Sequence, residues 1–315
     1  MLYDIFRRLV SFVVTLFVAI LIIFLVLEVL PGDPAAVMLG PDSTQEMIDV
    51  LRAELGLDQP AVVRFFHWVT AMAQGDFGQS YAYRVPVSDL ILDRLVVTIP
   101  LALLAILITT VLAILAGVYA AANSNRPGGH IIMMLTQVGI AIPNFWFGLI
   151  LVLIFSVGLR WFPAGGFPGW GGGLGPALHA LILPAIALAV VQAAILTRVT
   201  RASLLEVLRD DFTRTARSKG LTRRQMLWRH ALSNALIPIA TIMGLQFAQL
   251  IGGTIVIESV FALPGIGNLI FQAVGQRDLV VVRSVIVVLA AMVILINFLV
   301  DIAYVLIDPR LRVRK

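Results

Sequence analysis

The sequence has no cysteine and little charge, and both shortages restrict what the protein is. Without cysteine it forms no disulfide and offers no thiolate to a metal. Only 13% of its 315 residues are charged and 60% are hydrophobic, against roughly 25% charged and 45–50% apolar residues in soluble globular proteins. A soluble fold of this length needs a polar exterior. We therefore expect part of the surface to face hydrocarbon.

Motifs of catalysis and nucleotide binding are also missing. The two lysines, Lys219 and Lys315, do not belong to the Gly-Lys-Ser/Thr sequence of a phosphate-binding loop. The four histidines lack the spacing of a zinc site, and no serine lies in a Gly-x-Ser-x-Gly elbow. We predict no catalytic residue, no metal site and no cofactor in this chain. The chain is therefore not expected to be an enzyme, and an intramembrane hydrolase is disfavoured on the same grounds. Any ATP hydrolysis, with its magnesium, belongs to another polypeptide.

Six stretches of the sequence are apolar over about 20 residues or more, the length that a helix needs to cross a bilayer about 30 Å thick. They are continuously apolar rather than alternating, which favours helices over a barrel. We predict an all-α, polytopic membrane protein. All lysines and arginines lie outside these stretches, and Glu28 and Asp301 are the acidic residues within them. The predicted spans are 9–30, 98–122, 131–158, 177–197, 235–257 and 284–307.

The basic residues favour one orientation. Six spans put both termini on one side of the membrane, and the segments on that side hold 16 of the 23 basic residues within 61 positions. The segments on the opposite side hold 7 basic residues within 111 positions. This bias predicts that both termini are cytoplasmic. It also accounts for the basic character without a nucleic-acid partner, since the basic loops contain few aromatic residues.

Two segments outside the spans have helical patterns of their own. In the outer segment 31–97, Ser43 to Glu46 has the spacing of a capping box, and Val62 to Met72 is amphipathic. This pattern predicts short helices, either at the outer membrane surface or in a stalk that packs on its own helices. In the inner segment 198–234, we expect helix to Leu208, a short helix from Phe212 to Lys219 that ends at Gly220, and a further helix from Thr222. A short helix held between two spans gives a partner protein a rigid segment to move. The alternative is that its basic residues face anionic lipid headgroups.

The inner segment also carries a recognisable motif. Residues 211–221 (Asp-Phe-Thr-Arg-Thr-Ala-Arg-Ser-Lys-Gly-Leu), followed by His-Ala-Leu-Ser-Asn-Ala-Leu-Ile-Pro at 230–238, resemble the cytoplasmic signature of ABC importer permeases, in particular the dipeptide, oligopeptide and nickel family. Arg214 and Thr215 stand where the wider superfamily has Glu and Ala, a departure that the peptide and nickel branch shares. Other family motifs follow in order along nearly the whole chain. They are Pro-Gly-Asp-Pro at 31–34, Gly-Asp-Phe-Gly-Gln-Ser at 75–80, Pro143 with Phe145 and Trp146, Trp-Phe-Pro at 161–163, Phe-Ala-Leu-Pro-Gly-Ile-Gly at 261–267 and Asp-Pro-Arg at 308–310.

The resemblance implies a type I ABC importer permease, forming half of a translocation pathway for dipeptides or oligopeptides in a prokaryotic inner membrane. The implied partners are a second, homologous permease, two ATP-binding subunits, an extracytoplasmic substrate-binding protein and membrane lipid. Glutathione and nickel chelates remain alternative substrates. An ion-gradient-driven secondary transporter would show inverted repeats, and the two halves show no convincing duplication. The residues that the resemblance implies for coupling to the ATPase are Asp211, Phe212, Arg214, Thr215, Ala216, Lys219, Gly220 and Leu221.

Polar side chains within the spans are candidates for lining the pathway. Alternatively, their amides bond neighbouring helices. Asn297 and Asp301 are four residues apart and therefore share a helix face, and Pro143, Pro184 and Pro238 are candidate kinks around a cavity. The candidate lining residues are Gln137, Asn144, Gln192, Gln246, Gln249 and Asn297.

These features predict a chain in three parts. Residues 1–97 form an N-terminal transmembrane helix with an extracytoplasmic segment. Residues 98–307 form the ABC transporter transmembrane domain, which includes the cytoplasmic coupling loop 198–234. Residues 308–315 form a cytoplasmic tail.

Overall fold

The computed structural model describes residues 2–29, 33–54, 56–211, 213, 218 and 220–307. Regular secondary structure in this part of the chain is helical, apart from one isolated β-bridge between Gln79 and Pro86. The predicted all-α class is confirmed. Helices suit such apolar runs because each satisfies its backbone hydrogen bonds within itself, where hydrocarbon offers no partner.

The helices carry labels in chain order. Short irregular helical segments adjoin three of them: the π-helical turns Val152–Gly158 after α7, a 3₁₀ turn at Trp170–Gly172 before α8, and Arg223–Gln225 with the π-helical turns Met226–Ala231 before α9. The helices are α1 (Leu2–Val29), α2 (Pro34–Leu39), α3 (Gln45–Glu54), α4 (Ala61–Ala73), α5 (Val87–Ala122), α6 (Pro127–Ala141), α7 (Asn144–Leu151), α8 (Leu174–Val207), α9 (Leu232–Val260), α10 (Ile266–Gly275) and α11 (Leu279–Ile307).

The predicted spans correspond to helices of sufficient length. Within the described residues, five helices are individually long and apolar enough to cross a membrane: α1, α5, α8, α9 with the turns before it, and α11. The pair α6 and α7, with its π-helical extension, makes a sixth if it is counted as one span. α5 begins at Val87, before the predicted start of its span, whereas α8 continues to Val207, close to the predicted helix end at Leu208.

The third predicted span, 131–158, is broken. α6 and the α7 segment meet at an angle of 103°. The break lies at Pro143, and both Ile142 and Pro143 have extended backbones, with ψ of 124° and 135°. Proline has no N–H for the helical ladder and disfavours helical conformation in the residue before it. The predicted kink at Pro143 is thus confirmed, whereas Pro184 and Pro238 lie inside the continuous helices α8 and α9.

The outer segment folds into the short helices that its pattern predicts. α3 starts after Thr44, whose hydroxyl accepts a hydrogen bond from the Met47 N–H at 3.4 Å. The residue before it, Ser43, instead donates to the Gly40 carbonyl at 2.7 Å, so the cap is one residue later than the first residue of the predicted box. α4 is the second amphipathic stretch, and it buries Phe65 and Trp68.

By internal contacts the chain divides into two compact units. The first unit comprises Met1–Arg8, Ile99–Leu263 and Ile296–Lys315. The second unit comprises Leu9–Thr98 and Pro264–Leu295. The points of division fall within the helices α1, α5 and α11 and at the Leu263–Pro264 bond.

The first unit is built around α8. In the most apolar stretch of this helix, 72% is buried, which is the largest share among the candidate spans. Most of its buried side chains are alanine and leucine. Small residues such as alanine let helices pack closely, which matters in a bilayer because the hydrophobic effect does not drive helices together there. An apolar cluster of the unit joins α5, α8 and α9 with the turns before it, through Ala113, Val118, Ala121, Leu196, Leu204, Ala231, Ala235 and Ile239.

Two apolar clusters lie among the described residues of the second unit. In one, Phe65 and Trp68 of α4 pack with Val287 of α11 and with Phe24 of α1, whose ring centroid is 5.3 Å from that of Phe65. The other joins the short outer helices to α10 and the start of α11. Its buried members are Ala35, Met38, Leu51, Val87, Ile91, Ile266, Leu269, Ala273, Val280, Val281, Val282 and Val285.

Candidate functional site

Two of the six candidate lining residues are buried between helices. Gln192 of α8 is 8% exposed and Gln246 of α9 is 2% exposed. The Gln246 Nε2 donates to the backbone carbonyl of Gln192 at 2.9 Å. This hydrogen bond ties α8 to α9, as expected for amides that hold helices together in a membrane.

The other four candidates lie nearer the surface of the first unit. Gln137, Gln249 and Asn297 are exposed, and Asn144 is half-buried at the start of α7, directly after the Pro143 break. A hydrogen bond joins Gln137 to Arg198, whose guanidinium donates to the Gln137 Oε1 at 3.2 Å. The six predicted residues therefore separate into one buried pair and a set of more accessible amides.

Both acidic residues within the predicted spans are ion-paired. Asp301, near the end of α11, lies 2.9 Å from the Arg8 guanidinium in the first unit. Glu28, at the end of α1, pairs with Arg64 of α4 in the second unit. Pairing with an arginine lowers the cost of placing a carboxylate near hydrocarbon. Neither carboxylate is therefore left as an isolated charge.

The predicted coupling segment is only partly described. Phe212, Arg214, Thr215, Ala216 and Lys219 lie outside the described residues. Among the remaining members, Asp211 is exposed, Leu221 is half-buried, and Gly220 has a φ of +83°. This left-handed conformation favours glycine because it has no Cβ to clash with the backbone. The predicted helix stop at Gly220 is consistent with this geometry.

The ends of the helices around this segment agree with the sequence pattern. The Thr213 hydroxyl, 4% exposed, donates to the Leu208 carbonyl at 3.0 Å and closes the end of α8. The next helical turn begins at the predicted residue, Thr222, whose N–H donates to the Gln225 Oε1 at 3.1 Å. In return, the Gln225 N–H donates to the Thr222 hydroxyl at 3.3 Å. This reciprocal cap fixes the start of the helix.

A shallow groove adjoins the cap, and sequence reasoning missed it. Its volume is about 730 Å³. Trp228, which is 42% exposed, lines it together with two arginines. The sequence signal was a tryptophan among arginines, since both residue types are enriched at protein interfaces. The groove is lined by Thr222, Arg224, Gln225, Trp228 and Arg229.

A buried carboxylate in the second unit was also missed. Asp278, fully buried, accepts hydrogen bonds from the Ser80 hydroxyl at 2.6 Å, the Ala82 N–H at 3.0 Å and the Val281 N–H at 3.1 Å. It thereby caps α11 and anchors the loop that holds the Gly-Asp-Phe-Gly-Gln-Ser motif. The motif therefore has a structural role in holding its loop to the start of α11. The sequence identified the motif but not Asp278, the residue that it contacts.

Two further motifs of the resemblance have structural contacts within the first unit. The Phe261 carbonyl accepts a hydrogen bond from the Gly166 N–H at 2.8 Å, and the Phe261 side chain is buried. In the Trp-Phe-Pro motif, Phe162 stacks on His179 with ring centroids 4.6 Å apart. The described residues include no cluster of three or more His, Asp or Glu side chains arranged for a metal ion.

Comparison with known proteins identifies the family. The family model of the binding-protein-dependent transport system inner membrane component matches residues 113–313. The model of the N-terminal part of the membrane component of the same systems matches residues 1–102. Together they cover nearly the whole chain.

Relatives that match over almost their full length are named as transporter permeases. The chain is 41% identical to a probable peptide ABC transporter permease of Sinorhizobium fredii, over 98% of each chain. It is 42% identical to a putative peptide transport system permease of Brucella abortus, also over 98% of each chain. It is 39% identical, over 99% of each chain, to the glutathione transport system permease GsiC of Escherichia coli.

A solved structure shares the fold. A chain of the inward-facing MetNI methionine ABC transporter superposes with a TM-score of 0.59 at 18% identity, covering 70% of this chain and 96% of that one. The expected importer-permease fold is thus confirmed. With the family matches and the apolar helices, it leads to one conclusion: this chain belongs to the binding-protein-dependent transport system inner membrane components and is a multi-pass permease subunit of an ABC importer.

Proposed function

We propose that the chain forms half of a translocation pathway for dipeptides or oligopeptides. The observation that carries the proposal is the 41–42% identity, over almost the full length, to permeases named for peptide transport. The relative named for glutathione transport, at 39% identity, favours a second candidate substrate of similar chemistry. Membership of the importer family argues against an ion-gradient-driven carrier.

The pathway is proposed to run past the more accessible amides of the first unit, which are Gln137, Asn144, Gln249 and Asn297. An amide in a spanning helix is costly when it faces lipid tails, so accessible amides indicate a polar neighbour. A second, homologous permease would supply the other wall. For Gln192 and Gln246, a lining role stays a prediction, and their mutual contact favours helix-to-helix bonding.

The segment 211–221 is proposed to couple the permease to an ATPase subunit. The end of α8, closed by Thr213, the glycine conformation at Gly220 and the adjoining groove with Trp228 support a contact surface for a partner at this segment. Movement of this segment by the ATPase would be passed to α8 and α9, the helices on either side. ATP and magnesium would be bound by two separate ATP-binding subunits, and an extracytoplasmic protein would deliver the substrate.

Replacing Gly220 tests the coupling. At a φ of +83°, Gly220→Trp adds both strain and bulk to the proposed docking element, whereas Gly220→Ala adds the strain with little bulk. We expect Gly220→Trp to insert normally but to abolish the substrate-stimulated ATP hydrolysis of the assembled transporter. Gly220→Ala should retain most of the stimulation. Normal stimulation in Gly220→Trp would show that the ATPase does not grip this segment.

We also propose that both termini are cytoplasmic in a bacterial inner membrane. The positive-inside bias supports this orientation. The contact of Arg8, near the start of α1, with Asp301, near the end of α11, supports an even number of crossings, because it brings opposite ends of the chain to one membrane level. Six crossings require the bent pair α6 and α7 to count as one. Residues 1–97 would then be an N-terminal helix with an outer segment, 98–307 the transporter domain and 308–315 an inner tail.

A further inference from the structure

Three N–H groups of the second unit are buried without a hydrogen-bond acceptor among the described residues. They are the Nε of Arg64 and the Nε1 of Trp68, both on α4, and the Nε of Arg283 on α11. Such donors are uncommon in proteins, because leaving a buried hydrogen bond unmade is costly. Three of them in one unit favour a site for an acceptor group.

The side chains that carry these donors lie together where α1, α4 and α11 meet. The Arg283 Cζ is 5.4 Å from the centre of the Trp68 ring. Arg64 precedes Trp68 by four residues, so both lie on one face of α4. The same spacing on α1 separates Phe24 from Glu28. The Phe24 ring centroid is 5.9 Å from that of Trp68, and Glu28 pairs with Arg64.

One arginine of this cluster has no ion-pair partner. Arg64 is neutralised by Glu28, whereas Arg283 forms no ion pair with a carboxylate in the described part of the chain. Asp278 attracts Arg283 from a greater distance. Its carboxylate oxygens, however, accept hydrogen bonds from the loop before α5 and from the first turn of α11. The acceptor that suits the cluster is therefore negatively charged.

The cluster lies at one boundary of the membrane. Glu28 is near the end of the first predicted span, 9–30, and Arg283 directly precedes the last one, 284–307. With both termini cytoplasmic, the two positions are at the outer boundary, where tryptophan and arginine can reach lipid headgroups. Below this level α1 exposes an apolar face, with Ile22, Leu25 and Val26 between 49% and 57% exposed. An anion with apolar chains fits both features.

The donor atoms are covered, but the cluster reaches the surface at its edge. The Arg64 side chain is 18% exposed and that of Glu28 is 34% exposed. Arg283 is half-buried. Arginine side chains at a surface change rotamer quickly, so their covered N–H groups can turn toward a ligand at this edge. The alternative is that the stacking of Arg283 on Trp68 only holds α4 against α11.

We propose that Arg64, Trp68 and Arg283 bind a phosphate group at the outer boundary of the membrane. Guanidinium groups bind phosphate oxygens through paired N–H donors, and the indole N–H adds a further contact. The phosphate can belong to a phospholipid of the outer leaflet or to free inorganic phosphate. The exposed apolar face of α1 favours the lipid, since it can hold the acyl chains. This site is independent of the proposed peptide import.

The test uses the assembled transporter, purified in a maltoside detergent and titrated with dioleoylphosphatidylglycerol. Native mass spectrometry measures the affinity for the lipid that the complex retains. We expect Arg283→Gln to weaken this affinity about 10-fold, the effect of losing one charge-assisted contact. Trp68→Phe keeps an aromatic ring and removes only the N–H, so it should weaken the affinity about 5-fold. It remains a test if Arg283→Gln fails to assemble.

The matched control is Arg277→Gln, which removes an exposed arginine just before α11 and should leave the affinity unchanged. Two further ligands distinguish the sources. Dioleoylglycerol has the same chains without the phosphate and should not be retained. Inorganic phosphate should not displace the lipid; if it does, and both variants weaken its binding, the site takes free phosphate. Equal retention of dioleoylglycerol, or lipid affinity unchanged in Arg283→Gln and Trp68→Phe, overturns the phosphate site. So does an equal loss in Arg277→Gln.

Discussion

Gln246 and Gln249 lie three residues apart on α9, yet their surroundings differ. Gln246 is 2% exposed and bonded to the Gln192 carbonyl, whereas Gln249 is exposed. Identical side chains in one apolar run thus have separate structural roles. Their sequence positions alone left both open as lining residues, since hydropathy does not distinguish the packed face of a helix from its accessible face.

Leucine substitution separates the two roles. Gln246→Leu removes a buried interhelical hydrogen bond, worth about 0.6 kcal/mol on average and about 1.7 at most, so we expect a small loss of thermal stability of the purified complex. Gln249→Leu should change stability by less than about 0.5 kcal/mol, as for most surface changes, but lower peptide uptake several-fold. Normal uptake in Gln249→Leu would remove that residue from the pathway.

At the scale of elements, the break between α6 and α7 is the main departure from regular spans. Its cause is local, because Pro143 withdraws a backbone donor and constrains Ile142. Pro184 and Pro238, by contrast, are accommodated within α8 and α9. The sequence marked all three prolines as candidate kinks. The structure shows that only Pro143 became a sharp bend, of 103°.

The bend can be measured by spin labels, because the native chain has no cysteine. Met134→Cys and Val157→Cys place labels at side chains that are 70% and 60% exposed. In a straight helix these positions would be roughly 35 Å apart, and the bend should bring them closer. Adding Pro143→Ala restores the missing donor, so we expect the distance to lengthen and peptide uptake to fall.

Pro184→Ala serves as the control for this distance. It lies in a continuous helix and should leave the separation of the two labels unchanged. If Pro143→Ala also leaves the distance unchanged, tertiary packing, rather than the proline, holds the bend.

At the scale of the whole molecule, the number of crossings follows from the bent pair. Five helices alone would put the termini on opposite sides, whereas six spans put them on the same side. The Arg8–Asp301 contact favours six. With six crossings, the positive-inside bias supports the proposal that both termini are cytoplasmic.

Single-cysteine labelling of whole cells checks this topology. We expect Asp58→Cys, at an exposed residue of the outer segment, to react with a membrane-impermeant maleimide in intact cells. Arg7→Cys and Arg312→Cys should react only after lysis. Labelling of Arg7→Cys and Arg312→Cys from opposite sides would mean five crossings and make the bent pair re-entrant.

The sequence by itself determined the membrane class, the approximate spans, the short outer helices and the helix starts near Thr44 and Thr222. These features depend on hydropathy and capping, which are properties of neighbouring residues. It also supplied the family, through motifs spread along the chain.

Only the tertiary structure decided which polar groups meet. Ser80 and Asp278 are 198 positions apart, and Gln137 and Arg198 are 61 apart. Such pairs depend on how helices pack and on the register that close contacts such as Gly139 against Ala194 impose. Helical periodicity reports the face of a side chain within its own helix but not the helix that lies opposite, because that choice is made by long-range packing.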